Sequence, residues 1–511
     1  MTSTLTPYRS SLKPGRDTFG RLLRAEWSKF WTVRVWALVL ALGAAVTVVL
    51  SLLGASGAHF SSGGEEIPVG PDGTRVVDRF RFVHQPLPGD GSITARVTDP
   101  AGDGGRDPEP WAKAGVIVKQ STKQGSPYAA LMVTPDHGVR LQWNFTHDKA
   151  GSNTSGDPRW LRLTRSGDRL TGYESPDGTH WSKAGSVTLP GLTKTAQAGL
   201  FVATPAHTNL QRSFGGSSER AGGTSVTASF DHLGLTGGAT GTAWTSTDVG
   251  IHPSDPANPV SGPAAPVPGT TRVSAGVYHL TGQGNIAPDE TGPDTVQMSF
   301  QGVFVGALFM AALGALFITS EYKRDMIRTT FAASPRRGRV LAAKCMVIGG
   351  VTFAAALVAV AIAFPLAQNT LRTNGYEPPA FPDVSLFDGT PLRAVAGSAA
   401  LLALVAVLAL ALGTILRSSA GAITIVVVLV TLPQILSFAL PLPVAHWLLR
   451  LTPAAAFAIQ QGAPHYPQVD SNCLPENGCY PLTPWNGFAV LCAYVAVALA
   501  LAAWRLRRRD A

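Results

Sequence analysis

Phe300-Gln301-Gly302-Val303-Phe304-Val305-Gly306-Ala307-Leu308-Phe309-Met310-Ala311-Ala312-Leu313-Gly314-Ala315-Leu316-Phe317-Ile318-Thr319 carries no charge, and Ser320-Glu321-Tyr322-Lys323-Arg324 closes the run abruptly. A helix rising about 1.5 Å per residue needs roughly twenty such residues to cross the hydrocarbon of a bilayer. Five further stretches read the same way: Val35 to Leu53, Cys345 to Ala367, Ala394 to Leu416, Ala420 to Leu440 and Phe488 to Trp504. Six spans are predicted, and an even number puts both termini on one side. Val444 to Ile459 is also apolar, but His446, Arg450 and Pro453 interrupt it, which predicts a re-entrant or interfacial segment. The competing reading of Val35 to Leu53 is a cleaved signal peptide. Its long basic approach and its length, beyond the roughly 7 to 15 residues of a signal core, make it a membrane anchor instead.

Charge then orients the spans. The chain is 45% hydrophobic and 14% charged, well under the roughly one quarter usual in soluble proteins. Residues 56 to 294 are nevertheless polar, so the deficit belongs to the rest. Lys and Arg collect beside span ends: Arg9, Lys13, Arg16, Arg21, Arg24, Lys29 and Arg34 ahead of the first, and Lys323, Arg324, Arg328, Arg336, Arg337, Arg339 and Lys344 after the second. Arg417 follows the fourth, and Arg505, Arg507, Arg508 and Arg509 form the tail. Nineteen basic residues on this side face three on the other, Arg372, Arg393 and Arg450. The positive-inside rule makes both termini cytoplasmic and residues 56–296 extracellular. The net charge of +9 is thereby a topology signal without a continuous basic groove, which argues against nucleic acid.

From Arg75 to Thr236 the pattern changes to short period-two stretches between Gly, Asp, Asn and Ser turns, the mark of an antiparallel sandwich. Ile93, Ala95 and Val97 alternate with polar residues, as do Val139, Leu141 and Trp143, and Leu161 and Leu163. Further strands are expected at 114–119, 129–134, 199–204 and 226–233. The fold class is therefore multi-domain: an all-α polytopic membrane domain of six transmembrane helices with an inserted all-β sandwich ectodomain. The divisions are a cytoplasmic segment at 1–34, a first span at 35–55, the sandwich at 56–236, and a Gly/Pro-rich linker with one short strand at 237–296. Five spans follow at 297–511, with a coupling loop at 320–344 and an outward loop at 441–487.

Two chemistries were weighed for the ectodomain. Glycosidase catalysis needs two carboxylates about 5 to 10 Å apart, but the acids here stand in turns such as Asp136-His137-Gly138 and Asp177-Gly178. Trp143, Trp160, Tyr173 and Trp181 are candidates for a glycan-stacking platform, the alternative being aromatics buried in the sandwich. Cys473 and Cys479 share the outward loop, where a disulfide is expected and two free thiols are the alternative. Only His465 lies nearby, too few ligands for a metal.

Trp111-Ala112-Lys113-Ala114-Gly115-Val116-Ile117-Val118, Tyr128-Ala129-Ala130-Leu131 and Trp160-Leu161-Arg162-Leu163 with Tyr173, Asp177 and Trp181 resemble the concanavalin-A-like lectin/glucanase sandwiches of bacterial surface proteins. That resemblance implies a jelly-roll-like module, carbohydrate-binding or structural. The Glu-x-Asp-x-x-Glu strand of the glucanases is absent from it.

On the cytoplasmic side, Phe19, Leu22, Leu23, Trp27, Phe30 and Trp31 recur at helical spacing among Arg21, Arg24, Ser28 and Lys29, with Asp17 as candidate N-cap. This predicts an amphipathic helix lying in the membrane interface. The loop after the second span predicts about three helical turns ending at Ser334-Pro335.

Leu22-Leu23-Arg24-Ala25-Glu26-Trp27-Ser28-Lys29, Ile318-Thr319-Ser320-Glu321-Tyr322, Arg328-Thr329-Thr330 with Ser334-Pro335-Arg336-Arg337, and Leu449-Arg450-Leu451-Thr452-Pro453-Ala454-Ala455 resemble the membrane-spanning subunits of type-2 ATP-binding-cassette (ABC) exporters. The similarity covers residues 15 to 56 and 297 to 511. It implies a permease half that pairs with itself or a related subunit and docks a separate ATPase through Glu26, Glu321, Tyr322, Lys323, Arg324 and Arg328. The chain has no Gly-x-x-x-x-Gly-Lys-Ser/Thr run to cradle a nucleotide phosphate, so the motor is expected in another chain and no cofactor in this one. Nearly uncharged spans predict a path lined by groups such as Thr352, Gln434 and Ser437, unless these bond between helices. The rival reading is a wall-glycan sensor or adhesin anchored by its spans.

Overall fold

The computed structural model describes residues 18–61, 67–98, 100–153, 158–213, 216–238, 243–251, 267–290, 292–323, 326, 336–470 and 472–508. An entry helix α1 (Phe19–Thr32) precedes six helices long and apolar enough to cross a membrane. These are α2 (Arg34–Gly57), α3 (Gln301–Lys323), α4 (Arg337–Thr373), α5 (Gly389–Leu416), α6 (Ser419–Ser437) and, after a short helix α7 (Leu442–Leu451), α8 (Pro484–Arg508). Each matches one expected apolar run. At 37 residues α4 is about 55 Å long, more than the roughly 30 Å of a bilayer's hydrocarbon, and Lys344 lies about two turns from its start. The segment expected to be re-entrant is a broken pair, α7 and the turn Pro453–Gln460, bent by 96° at Thr452-Pro453.

The bundle is built around α5, whose small residues let neighbours approach closely. Gly314 of α3 lies so near the Ala406 carbonyl of α5 that a Cβ there would overlap the backbone oxygen. Within α6 the residues Val427–Thr431 form a π-helical turn just before Pro433, the kind of insertion that frees backbone carbonyls at functional sites.

The segment between α2 and α3 forms a β-sandwich of two antiparallel sheets. One runs Ser182–Thr188, Arg169–Ser175, Arg159–Ser166, Gly91–Val97, Val226–Thr236, Val277–Gly282, Thr270–Ser274. The other runs Thr245–Val249, Phe80–Pro88, Thr195–Ala203, Lys113–Lys119, Tyr128–Thr134, Gly138–Trp143, His147–Ala150. Strands of the first alternate buried and partly exposed positions, as expected for a sheet with one wet face. Lys113–Lys119 and Tyr128–Thr134 are buried throughout, because a second apolar layer with Phe80, Phe82, Tyr128, Met132 and Phe201 covers that sheet's outer face.

The reading of 237–296 as linker with one short strand is corrected. Residues 239–242 and 252–266 lie outside the described residues, but the remainder supplies strands to both sheets. Arg272 to Leu280, read as a single apolar piece, is a hairpin that pairs with Val226–Thr236. Ile286–Pro288 pairs with Val76–Asp78. Alternation is weak in these short strands and pairing across more than 150 residues leaves no local trace.

The strap formed by 284–290 is held by a buried cation: Lys113 Nζ donates to Asn285 Oδ1 at 3.0 Å and to the Ile286 carbonyl at 2.7 Å. Burial pushes this ammonium down to about 7. The unfolded chain, with a lysine near its usual value of about 10.4, then binds the proton more tightly, so stability rises with pH between about 7 and 10. The slope from this group is about 1 kcal/mol per pH unit, and Lys113→Met removes it. Unfolding free energies of the two chains at pH 7 and 9 check this, and equal pH slopes would contradict it.

The sandwich sits on one end of the helix bundle. The Arg75 guanidinium bonds Asp289 at 2.6 Å and lies over the rings of Phe60 and Phe381. Arg212 donates to the carbonyls of Ser437 and Leu440 at the end of α6, and Gln468 donates to the Phe145 carbonyl.

Candidate functional site

A buried cluster of charged side chains lies at the end of the bundle opposite the sandwich. There α1 turns into α2 at Val33, where the backbone is extended. Helix α1 starts from Thr18 with no side-chain cap bond, and Asp17 lies outside the described residues. The expected apolar stripe divides. Glu26 and Phe30 face inward, buried, with Leu22 and Leu23 beside them, while Trp27 and Trp31 are half exposed on the flank. Arg21, Arg24 and Ser28 form the open outer face.

Beneath α1 lies a four-member ion node. Lys344 Nζ donates to Glu26 Oε2 at 2.8 Å and to Glu321 Oε1, and Lys29 Nζ reaches the same Glu321 oxygen. The exposures of Glu26, Glu321 and Lys344 are 3%, 0% and 1%. Two acids and two bases cancel, which is what allows them to leave water together. An aromatic roof of Phe30, Trp36 and Phe317 closes the node, with Trp36 and Phe317 rings 4.8 Å apart and the Lys344 ammonium 5.2 Å from the Phe317 centroid. Among the described residues Glu321 Oε2 has no hydrogen-bond partner, and neither has the buried Tyr322 hydroxyl beside it, whose ring lies 5.3 Å from the Arg417 guanidinium carbon.

The docking assignments are thereby redistributed. Glu26 and Glu321, expected at a contact with another protein, are enclosed within the chain and present no carboxylate to a partner. They tie the entry helix to the bases of α3 and α4. Tyr322 is half-buried and Lys323 is exposed at the end of α3. Arg324 and Arg328 lie outside the described residues, as does the helix expected after the second span except at Met326. Lys29 and Lys344 were legible only as topology charges. The signal that could have singled them out is the scarcity of acids among so many inner-side bases: an acid ending an apolar run, as Glu321 does, needs a cation if buried.

Of the polar groups expected along a path, Gln434 and Ser437 bond within the bundle. Gln434 Nε2 donates to the Ala454 carbonyl and to Tyr480, and Ser437 Oγ to the Gln434 carbonyl. The Thr352 hydroxyl is buried with no hydrogen-bond partner among the described residues.

In the sandwich, Trp160 and Tyr173 lie on adjacent strands of one sheet, and Trp181 stands just before that sheet's edge strand Ser182–Thr188, where Arg162, paired with Tyr173, stacks on its ring at 3.9 Å. Trp143 does not join them. It lies in the opposite sheet, packed on the inter-sheet core and stacked with His147. Trp143 is thus separated from the other three candidates. Cys473 and Cys479 form a disulfide. The free Cys345 is partly buried and Cys492 exposed on their helices.

No protein-family model matches the sequence, and no curated protein matches it. Among solved structures, the chain is similar to scytalido-glutamic peptidase bound to a transition state analog inhibitor, at 12% identity and TM-score 0.24, covering 40% of this chain and 98% of that one. It is similar to SCP-B, a member of the Eqolisin family of peptidases, at 11% identity and TM-score 0.24, covering 40% and 98%. A functionally unknown protein from Saccharomyces cerevisiae matches at 17% identity and TM-score 0.23, covering 35% and 91%. Likenesses of this size carry no argument about activity.

Proposed function

We propose that the chain is the membrane-spanning permease subunit of an ABC-type exporter in a bacterial cell membrane, driven by ATP hydrolysis in a separate subunit. One observation carries the reading: the buried node of Glu26, Lys29, Glu321 and Lys344, which makes the interfacial helix and the bases of α3 and α4 one mechanical piece. A bare anchor has no use for an enclosed ion network, because burying four charges stabilises little by itself. A partner that pushes on α1 or on the loop after α3 moves two spans together. The termini and that loop are cytoplasmic in this reading, two permease halves pair to enclose the path, and the sandwich, of jelly-roll-like type, faces outward.

The docking surface is the exposed rim around the node, Arg21, Arg24, Ser28 and Lys323. The nearly uncharged spans suit an apolar or amphipathic cargo. Purification of the full chain from its native membranes is expected to bring down a chain with a P-loop. Deletion of residues 324–335 should lower its recovery about tenfold or more while the disulfide and the melting temperature persist. Undiminished recovery would place the contact elsewhere.

A second reading is favoured by Trp160 and Tyr173 lying on adjacent strands with Trp181 just before the edge strand of the same sheet. Flat rings of this kind stack on sugars, and a sandwich docked against α6 could report wall contact to the bundle. Retention of the intact chain on cell-wall polymer, lost in a Trp160→Ala, Trp181→Ala variant, with no ATPase in the preparation, would favour the sensor over the permease.

A further inference from the structure

Strand Lys113–Lys119 carries a second lysine into the apolar layer on the outer face of its sheet. Lys119 Nζ donates to Asp78 Oδ2 at 2.8 Å and to the Ser126 carbonyl at 3.0 Å, and both side chains of the pair are fully buried. The rings of Tyr128 and Phe145 wall the amine, with centroids 5.6 and 5.4 Å away. The Gly125 amide donates to the same Asp78 oxygen at 2.8 Å. The other oxygen, Oδ1, has no hydrogen-bond partner among the described residues. An ion pair so enclosed stabilises little, because the desolvation of its two charges can outweigh their attraction. Burial, the largest influence on each group, raises the Asp78 carboxyl and lowers the Lys119 ammonium from their ordinary values. Both shifts favour the neutral acid beside the free amine.

We propose that Lys119 and Asp78 condense into a side-chain amide, an isopeptide cross-link within the sandwich. The amine nitrogen attacks Cγ, a C–N bond forms and the Cγ–Oδ1 bond breaks. Counted from carboxylate and ammonium, two protons pass from nitrogen to Oδ1, which departs as water, and the third stays as the amide N–H. Nothing is oxidised or reduced. Oδ2 becomes the amide carbonyl and keeps the Gly125 N–H, a donor placed where negative charge gathers during the attack. The amide N–H keeps the Ser126 carbonyl. Each polar atom of the product therefore has its partner in place, and the oxygen without one is the oxygen that leaves. Two buried charges give way to a neutral, hydrogen-bonded group, and a nucleophile held against its target has no encounter left to wait for. Asp78 ends the strand Val76–Asp78, which follows α2 and pairs with Ile286–Pro288 ahead of α3. The bond thus fastens to the sheet the place where both chain connections leave the sandwich, whichever way the sandwich faces and whatever partner the bundle has.

The test weighs the purified full chain by mass spectrometry, denatured and with its disulfide reduced. Relative to sequence mass, the wild type is expected to be lighter by one water than Lys119→Met and Asp78→Ala. Trypsin should release from the wild type a branched peptide in which residues 76–79 are joined to residues 114–123, uncut after Lys119. A variant that folds poorly still serves, since mass is read on the denatured chain, and the wild-type peptide decides by itself. A wild type of full mass that yields residues 76–79 and 114–119 as separate peptides overturns the proposal. So does a lost water that the peptides place elsewhere, or one that persists in Asp78→Ala.

Discussion

Lys344→Met melts well below the wild type. Removing the ammonium leaves Glu26 with no cation and Glu321 with Lys29 alone, both enclosed under Phe30, Trp36 and Phe317. Breaking a buried pair by deleting one partner costs about 3–5 kcal/mol, far more than the intact pair contributes. Arg339→Gln, an exposed change five residues earlier on the same helix, is expected to stay within about 0.5 kcal/mol. The double variant Glu26→Gln/Lys344→Met recovers part of the loss, since the acid stranded by Lys344→Met is gone. Thermal unfolding of the purified chain followed by intrinsic tryptophan fluorescence checks the series. If Lys344→Met melts with Arg339→Gln, the node is not the buried network described.

The second large effect comes from backbone contact. Gly314→Val places a branched side chain where the Ala406 carbonyl of α5 already stands. Backbone cannot give way as a flexible side chain can, so α3 must separate from the helix at the centre of the bundle. Overpacking of this kind costs more than the usual 1–3 kcal/mol of an extra methylene in a core, and little folded protein is expected on size-exclusion chromatography. Gly350→Ala is the control, because nothing lies within 4 Å of its added Cβ. It removes a helix glycine and stabilises or leaves the protein unchanged. A monodisperse, normally melting Gly314→Val would refute the close packing of α3 on α5.

Much of the architecture was legible because bilayer and sandwich both write in simple periods. Six uncharged runs became six helices, and Pro453 with Arg450 and His446 announced the break in the re-entrant pair. Ile93, Ala95 and Val97 announced one sheet. What stayed hidden depends on partners distant in sequence. Lys113–Lys119 and Tyr128–Thr134 are buried on both faces by segments far away, so alternation does not report them. The strands at 245–249 and 286–288 looked like linker because their partners, at 80–84 and 76–78, lie at the start of the domain. At the site, Glu26 and Glu321 were singled out by resemblance for a surface role, whereas their burial depends on Lys344, 318 and 23 residues away. Trp143 shares a residue type with Trp160 and Trp181, but pairing puts it in the other sheet.

The permease account is tested most directly by a single cysteine on the open face of α1. Ser28→Cys, in a Cys345→Ala/Cys492→Ala chain, is cross-linked in native membranes and the captured chain identified by mass spectrometry. Thr195→Cys at an exposed strand end of the sandwich serves as the opposite-side probe. The account predicts capture of a P-loop ATPase from residue 28, its loss when residues 324–335 are deleted, and none from residue 195. An ATPase captured from residue 195 and not from residue 28, or none from either, would contradict it.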